Sequence, residues 1–202
     1  DEKVAGTLIP VFSLRSEGSF GVGDFGDLKL MIDWVAKTHQ RLLQVLPIND
    51  STSTHTWTDS YPYSCISVFA LHPQYCDLRQ LPAIDDKVEA DRFEMLREEL
   101  NALPQIDYER VNNAKIKYLQ MLFKQEGKKV LESEDFKSFF KATNHWLVPY
   151  AQYCYLRDKN GTCEFAKWED HNLWNEADRD ALSNPQNKAF EDVAFFYYVQ
   201  YV

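Results

Sequence analysis

The residues best suited to chemistry lie in one polar loop, residues 49–64, which is rich in hydroxyl groups and aromatic rings and poor in charge. It begins at Asn49, contains Trp57 and ends in Asp59-Ser60-Tyr61-Pro62-Tyr63-Ser64. Sugars are bound by short Asp, Asn and Ser hydrogen bonds and by Trp or Tyr rings stacked on the sugar face. A flexible hydrophilic loop is the competing interpretation. The apolar, strand-like run directly before the loop favours a sugar site at a strand end.

Catalytic carboxylates cannot be chosen from the acidic residues of this region. A glycosidase needs two carboxylates facing each other across the scissile bond. Asp24, Asp50 and Asp59 would lie on one face of an α/β barrel, but their spacing selects no pair. Asp24 and Asp27 are more simply explained as helix caps. None of the five histidines is accompanied by a nucleophile elbow, so a Ser-His-Asp triad is not supported either.

A glycine-rich segment, residues 21–26, matches the G-x-G-x-x-G pattern between a predicted strand and a predicted helix. Asp24 would place a carboxylate where a dinucleotide pyrophosphate should lie, at the helix N-terminus. No acidic residue ends the following strand. We therefore interpret the glycines as a tight strand-to-helix turn, and we expect no cofactor.

No metal site is expected from the ligand-type residues of the chain. Glu164, Asp170 and His171 are close in sequence but lack the spacing of a metal motif. The four cysteines form no C-x-x-C pair and fit no zinc pattern. Free, partly buried thiols are typical of a reducing compartment, so we expect a cytoplasmic protein.

The overall composition is that of a globular protein and narrows the classes of partner. The chain has 202 residues, of which 45% are hydrophobic and 26% charged, and its net charge is −9. Lys and Arg are scattered, whereas a nucleic acid or an anionic membrane requires a clustered positive surface. No run reaches the roughly 18 apolar residues of a membrane span. We therefore expect neither nucleic acid nor membrane as a partner.

The hydrophobic pattern predicts a short α/β unit followed by about a hundred helical residues. Residues 6–12 and 42–46 are predicted as buried strands on either side of a helix that ends near Lys37, which is a βαβ unit with parallel strands. Residues 85–184 show no strand pattern. The predicted helices there are 88–100, 108–123, one around residues 136–140 and, after a break at His145, one over 146–157. A last helix is predicted to start at Asn184-Pro185.

Several of these segments, taken in order, resemble the catalytic domain of the 4-α-glucanotransferases of glycoside hydrolase family 77, the amylomaltases or disproportionating enzymes. The amino-acid sequence of these segments is most similar to the disproportionating enzyme 2 type. The matching segments are Gly6 to Ser16, Gly21 to Asp27, Trp34, Gln44 to Pro47, Asp59 to Ser64, Phe69-Ala70 and Pro73.

The resemblance implies an enzyme that cleaves an α-1,4-glucan and transfers the glucanosyl piece to an acceptor sugar with retention. In this family the Asp nucleophile and the Glu acid/base follow later barrel strands, so we assign no catalytic residue to this chain. Asp59, Ser60 and Tyr63 are the expected substrate contacts. Trp57 and Asn49 are weaker candidates, because Thr-His-Thr-Trp departs from the shorter family loop.

The fold class that follows is α/β: an N-terminal fragment of a (β/α)8 TIM barrel, holding its first two strands, with a large and mainly α-helical insertion. We expect residues 1–84 to form the barrel units, 85–185 the insertion and 186–202 a helix returning to the barrel. The chain starts without Met and stops in an apolar run, so we expect the rest of a longer parent chain to close the barrel. Two alternatives stay open: a non-catalytic glucan-binding or regulatory module, and an α-amylase-type hydrolase.

Overall fold

The computed structural model describes residues 3–172 and 174–202, and Asp1, Glu2 and Leu173 lie outside the described residues. Over that part of the chain, a two-stranded sheet and helix α1 are followed by five further helices. The elements are β1 Gly6–Leu8, α1 Phe25–Lys37, β2 Leu42–Gln44, α2 Lys87–Asn101, α3 Tyr108–Leu131, α4 Glu134–Asn160, α5 Glu176–Ser183 and α6 Phe190–Tyr201.

The two strands pair in parallel, which confirms the predicted βαβ arrangement. Gly6 lies opposite Leu42, and the last ladder bond runs from the Ile9 amide to the Gln44 carbonyl at 2.9 Å. Pro10 has no N–H to continue this ladder, and residues 11–13 turn into a 3-10 helix. The predicted strand lengths, residues 6–12 and 42–46, are therefore wrong, because each strand has three residues.

The prediction that both strands are buried is also wrong. Leu8 and Leu42 are each more than half exposed. The reason is that only two strands pair among the described residues, so the sheet has no neighbour to cover its apolar side chains. Leu30 and Trp34 of α1 are exposed as well, which leaves an apolar surface around the sheet.

Helix α1 begins at a capping box, as the sequence suggested. The Asp24 carboxylate accepts a hydrogen bond from the Asp27 amide at 3.0 Å, and the Asp27 carboxylate accepts one from the Asp24 amide at 3.2 Å. Both side chains are buried. Two otherwise unpaired amides at the helix start are thereby satisfied.

The long helical part contains no strand in its described residues, as predicted, but the predicted break at His145 is wrong. Helix α4 runs without interruption from Glu134 to Asn160 and includes Pro149. Proline has no backbone N–H, so the carbonyl of His145 lacks its usual helical donor. Both halves of α4 pack against the same helix, α6: the ring of Phe136 lies 5.4 Å from that of Tyr201, and Val148 joins the same core cluster. This shared packing outweighs the local break signal.

Helix α6 packs against both α3 and α4 and forms the centre of the core. Val193, Ala194, Tyr197 and Tyr198 are buried along it, whereas Phe190 and Tyr201 are half-buried. The helix begins at Phe190 and not at Asn184, because the Asn184 side chain accepts a hydrogen bond from the Gln186 amide at 2.9 Å and starts a turn. The division into 1–84, 85–185 and 186–202 stays a prediction.

Candidate functional site

The polar loop closes on itself together with the seven residues that follow it. An antiparallel bridge joins Asn49 to Leu71, and the Asp50 amide donates to the Ala70 carbonyl at 2.9 Å. The side chain of Gln200, at the end of α6, accepts from the Leu71 amide at 2.9 Å and donates to the Leu71 carbonyl at 2.8 Å. The two ends of the loop are therefore fixed to each other and to the helical core.

Helix α4 holds the first part of the polar loop from behind. The buried Asp50 carboxylate accepts a hydrogen bond of 2.6 Å from the Tyr150 hydroxyl. Burial raises the pKa of Tyr150 well above its ordinary value, so this phenol is a neutral donor at physiological pH. The buried guanidinium of Arg157 donates to the Thr52 carbonyl at 2.6 Å. One helix face thus positions two consecutive parts of the loop.

Two further contacts fasten the tip of the loop. His55 lies 2.7 Å from the carboxylate of Asp158. Burial raises the pKa of Asp158, but hydrogen bonds with His55 and its neighbour Arg157 outweigh that effect and hold the pKa below 3.8. The Trp57 amide donates to the Glu109 carboxylate at 2.9 Å. His55 itself has a positive φ of 58°, a conformation that these contacts support.

The carboxylate of Asp59 faces the inside of the loop. It accepts hydrogen bonds from the Thr54 amide at 3.0 and 3.1 Å, from the Thr54 hydroxyl at 2.9 Å and from the His55 amide at 2.7 Å. The residue is buried, and its carbonyl accepts a further bond from Ser51 at 2.5 Å. In this structure Asp59 organises the loop tip, and its role as a substrate contact stays a prediction.

Three aromatic side chains of the polar loop face solvent. Trp57 is 68% exposed, Tyr61 59% and Tyr63 60%. The rings of Tyr61 and Tyr63 lie 5.6 Å apart and are tilted by 57°. Large exposed rings on a well-anchored backbone are suited to stacking against the apolar face of a sugar ring. We call these three side chains the aromatic patch.

The remaining predicted contacts lie beside the aromatic patch or at the base of the loop. Ser60 is half-buried in the 3-10 turn that begins at Trp57. Asn49 is half-buried at the bridge, where its amide nitrogen lies 3.5 Å from the Ala70 carbonyl oxygen. Trp57, Ser60 and Tyr63 are thus in one short segment, whereas Asn49 is at the loop base. Their roles in binding stay predictions.

A cavity of about 690 Å³ lies between the base of the polar loop and helices α3, α4 and α6. We call it the helical cavity. Its polar lining includes Asp50, His72, Gln74 and Asn112, and its apolar lining includes Phe195. A smaller cavity of about 490 Å³ lies beside Trp57, against residues 103–109.

Two buried cations near these cavities were not identified from the sequence. Lys115 is 1% exposed, and its ammonium donates to the carbonyls of Gln74 and Cys76, each at 2.7 Å. Arg157 is equally hidden behind the loop. Both lie on helices rich in charge, where Lys and Arg are typical of a solvated face. The one available signal for Lys115 was its position on the same helix face as Val111, Leu119 and Leu122.

The glycine-rich turn has a structural role in this molecule. Gly21 has a φ of +77°, a backbone conformation that residues other than glycine rarely adopt. Burial raises the pKa of Asp24 to about 6, although the nearby Lys115 ammonium lowers it. Arg79 adds an ion pair to the Asp24 carboxylate at 3.0 Å. The start of α1 is therefore occupied by its own carboxylates, which leaves no room there for a pyrophosphate.

The residues considered as metal ligands have other partners. Glu164 pairs with Lys167 at 2.8 Å, and His171 lies 3.2 Å from Asp178. Across residues 3–172 and 174–202 no group of three or more His, Cys, Asp or Glu side chains is arranged to hold a metal ion. All four cysteines are free; Cys76 and Cys163 are half-buried, whereas Cys65 is exposed and Cys154 is buried. In the same ranges, no helix combines the length and apolar character that a membrane crossing requires.

Comparison with known proteins gives consistent matches along nearly the whole chain. Residues 9–202 match the family of 4-alpha-glucanotransferases, glycoside hydrolase family 77. The chain is 38% identical over 199 residues to the 4-alpha-glucanotransferase DPE2 of Oryza sativa subsp. japonica, covering 98% of this chain and 21% of that protein. It is 34% identical over 200 residues to the 4-alpha-glucanotransferase of Chlamydia caviae, covering 98% of this chain and 36% of that protein. The chain thus spans between a fifth and about a third of these relatives.

Solved structures with the same fold are amylomaltases. The enzyme from Corynebacterium glutamicum superposes with a TM-score of 0.70 at 22% identity, over 98% of this chain and 26% of that one. The enzyme from Streptococcus agalactiae, solved in complex with acarbose, superposes with a TM-score of 0.69 at 18% identity, over 99% and 38%. The predicted fold class, the start of a (β/α)8 barrel with a helical insertion, is confirmed.

Proposed function

Because this chain belongs to the 4-alpha-glucanotransferase family, we propose that it acts, as part of a longer protein, in cleaving α-1,4-glucans and transferring the glucanosyl unit to an acceptor sugar. The reaction is a retaining double displacement through a glycosyl-enzyme. This chain contributes the wall of the cleft that binds the glucan. The catalytic carboxylates come from elsewhere in the longer protein.

The observation that carries this proposal is the aromatic patch on an anchored loop. Trp57, Tyr61 and Tyr63 expose large rings although the loop that carries them is fastened to two helices, α3 and α4. Exposed rings of this size are costly to leave in water and are favourable when they stack on a sugar. A fixed backbone reduces the entropy lost on binding.

We also propose that the donor glucans are maltooligosaccharides derived from starch or glycogen, and that the protein is cytoplasmic. The four free thiols support a reducing compartment. The excess of acidic residues, with a net charge of −9, supports an uncharged substrate over a phosphorylated one.

The direct test is Tyr63→Ala in the full-length enzyme, with maltotriose as donor and glucose as acceptor. We expect kcat/KM for transfer to fall about tenfold, because one stacking contact is worth about 1 kcal/mol or slightly more. The matched control is Phe165→Ala, since Phe165 is also 60% exposed but lies outside the polar loop. An unchanged kcat/KM in Tyr63→Ala, with a normal melting temperature, would reject the aromatic patch as a substrate contact.

A further inference from the structure

Three residues that line the helical cavity each have one buried polar atom without a hydrogen-bond partner in the protein. These atoms are Nε2 of His72, Oε1 of Gln74 and Oδ1 of Asn112. His72 is 4% exposed and Gln74 2% exposed. A buried polar atom without a hydrogen bond destabilises the folded protein, because it has lost its contact with water. Three such atoms on one cavity therefore indicate a molecule that hydrogen-bonds to them.

The hydrogen-bonding character of each atom follows from its surroundings. The Gln74 amide donates to Nδ1 of His72 at 3.1 Å, so the proton of the neutral ring is on Nε2. Burial lowers the pKa of His72 despite the nearby Asp50 and Asp59, which keeps the ring neutral. The cavity thus presents one N–H donor and two carbonyl-type acceptors, the amide oxygens of Gln74 and Asn112.

The buried charged groups of the cavity lining are already engaged, and its other charged residues are exposed: Lys124, Asp158, Lys159, Glu191 and Asp192. The Lys115 ammonium bonds to two backbone carbonyls, and Arg157 bonds to a carbonyl and to Asp158. The Asp50 carboxylate is bonded to Tyr150. A charged ligand would have to lose its hydration and find no free counter-charge among these groups. The unpaired groups therefore match an uncharged ligand.

Aromatic and aliphatic walls complete the cavity. Its lining also includes the apolar or aromatic side chains of Phe123, Phe195, Phe196, Tyr155 and Ile116. Its volume of about 690 Å³ falls within the range of roughly 300–1,000 Å³ that is typical of small-molecule sites. Apolar walls with a few placed donors and acceptors are the pattern of sites that bind the two faces of a sugar.

We propose that the helical cavity binds a neutral polyhydroxylated molecule of monosaccharide size. One ligand hydroxyl accepts from Nε2–H of His72, and others donate to the amide oxygens of Gln74 and Asn112. This site lies behind the polar loop and uses none of the aromatic patch. The inference goes beyond the glucanotransferase proposal and does not depend on it.

The test is isothermal titration calorimetry of the 202-residue chain with D-glucose and, as a charged counterpart, D-gluconate. We expect glucose to bind in the millimolar range and gluconate not to bind. His72→Asn keeps an acceptor for the Gln74 amide but removes the Nε2–H donor, so glucose affinity should fall about five- to tenfold. The control is His39→Asn: His39 is exposed, has a φ of 59° that Asn also adopts, and lies outside the cavity.

A second variant keeps the test independent of folding defects. Asn112→Leu removes an unpaired buried oxygen, so the melting temperature without ligand should stay the same or rise, while glucose affinity falls.

Absence of glucose binding to the wild-type chain would overturn the proposal and leave ordered water in the cavity. Binding that is lost in Tyr63→Ala but kept in His72→Asn would also overturn it, by placing the sugar on the polar loop. Transfer activity of the full-length enzyme is measured separately, so failure of the cavity and failure of the proposed function are distinguishable.

Discussion

Replacing Asp59 distinguishes a residue that organises the polar loop from one that contacts substrate. The carboxylate accepts hydrogen bonds from three groups: the Thr54 amide, the Thr54 hydroxyl and the His55 amide. Asp59→Ala removes all three, at about 1 kcal/mol or slightly more for each bond. We therefore expect the free energy that keeps the loop tip closed to fall by about 3–4 kcal/mol. Asp59→Asn should lower this free energy by a smaller amount, because one side-chain oxygen remains as an acceptor.

The measurement is amide hydrogen exchange at Thr54 and His55, together with the melting temperature of the 202-residue chain. Exchange at both amides should accelerate by about two orders of magnitude or more in Asp59→Ala, since about 1.4 kcal/mol corresponds to a factor of ten. His55 should lose its left-handed conformation, because its φ of 58° is maintained by these contacts. Asp33→Ala is the control, as Asp33 is an exposed acid on α1.

One result would refute this reasoning. If Asp59→Asn left the exchange of both amides unchanged but lowered kcat/KM of the full-length enzyme, the carboxylate would act on the substrate and not on the loop. If both quantities changed together, the loss of activity would follow from the disordered tip, and Tyr63→Ala would then remain the cleaner probe of sugar contact.

Four further predictions concern the core, the pH dependence and the activity of the isolated chain. Lys115→Met should lower the free energy of unfolding in urea by about 3–5 kcal/mol, because the carbonyls of Gln74 and Cys76 and the carboxylate of Asp24 lose a buried cation. The control is Lys117→Met, which should have little effect because Lys117 is exposed. Tyr150→Phe should cost about 2 kcal/mol in the same assay, because the buried Asp50 carboxylate loses its donor; equal stability would show that water replaces the hydroxyl. The pKa of Asp24 is raised from 3.8 to about 6, so the folded state binds the Asp24 proton more tightly than the unfolded state does. The free energy of unfolding therefore contains a stabilising contribution from this proton below pH 3.8. That contribution is lost as the pH rises to about 6. Asp24→Asn should remove that decrease from unfolding curves recorded between pH 4 and 6, and an unchanged slope would contradict the shift. The 202-residue chain alone should not disproportionate maltotriose, and product formation by the purified chain would disprove this.

Local signals were sufficient where neighbouring residues decide the structure. The Asp24–Asp27 cap, the parallel pairing of residues 6–8 with 42–44 and the buried face of α6 follow from spacing within one or two elements. The aromatic residues of the polar loop were found because sugar-binding side chains have a recognisable composition. The family resemblance then supplied their expected role.

Contacts between distant segments could not be predicted in the same way. The Asp50–Tyr150 bond joins residues a hundred positions apart, and nothing near Asp50 indicates its partner. The family resemblance predicts Asp59 as a substrate contact, but it gave no sign that the Thr54 and His55 amides donate to this carboxylate. Helix α4 continues past His145 because α6 packs against residues on both sides of that position, such as Phe136 and Val148, and that support is visible only in the folded chain.

The closed ends of the polar loop have a consequence for how the protein can change during evolution. Because Asn49 and Leu71 are bridged and Gln200 holds the same position, the segment between them has fixed end points. Doubling the length of a flexible loop with fixed ends costs only about 0.6 kcal/mol in closure entropy. Insertions around residues 54–58 would therefore keep these end points and move Trp57 relative to Tyr63, at the cost of the tip contacts with Asp158 and Glu109. Grafted tips of different length are a practical route to variants that prefer longer or branched acceptors.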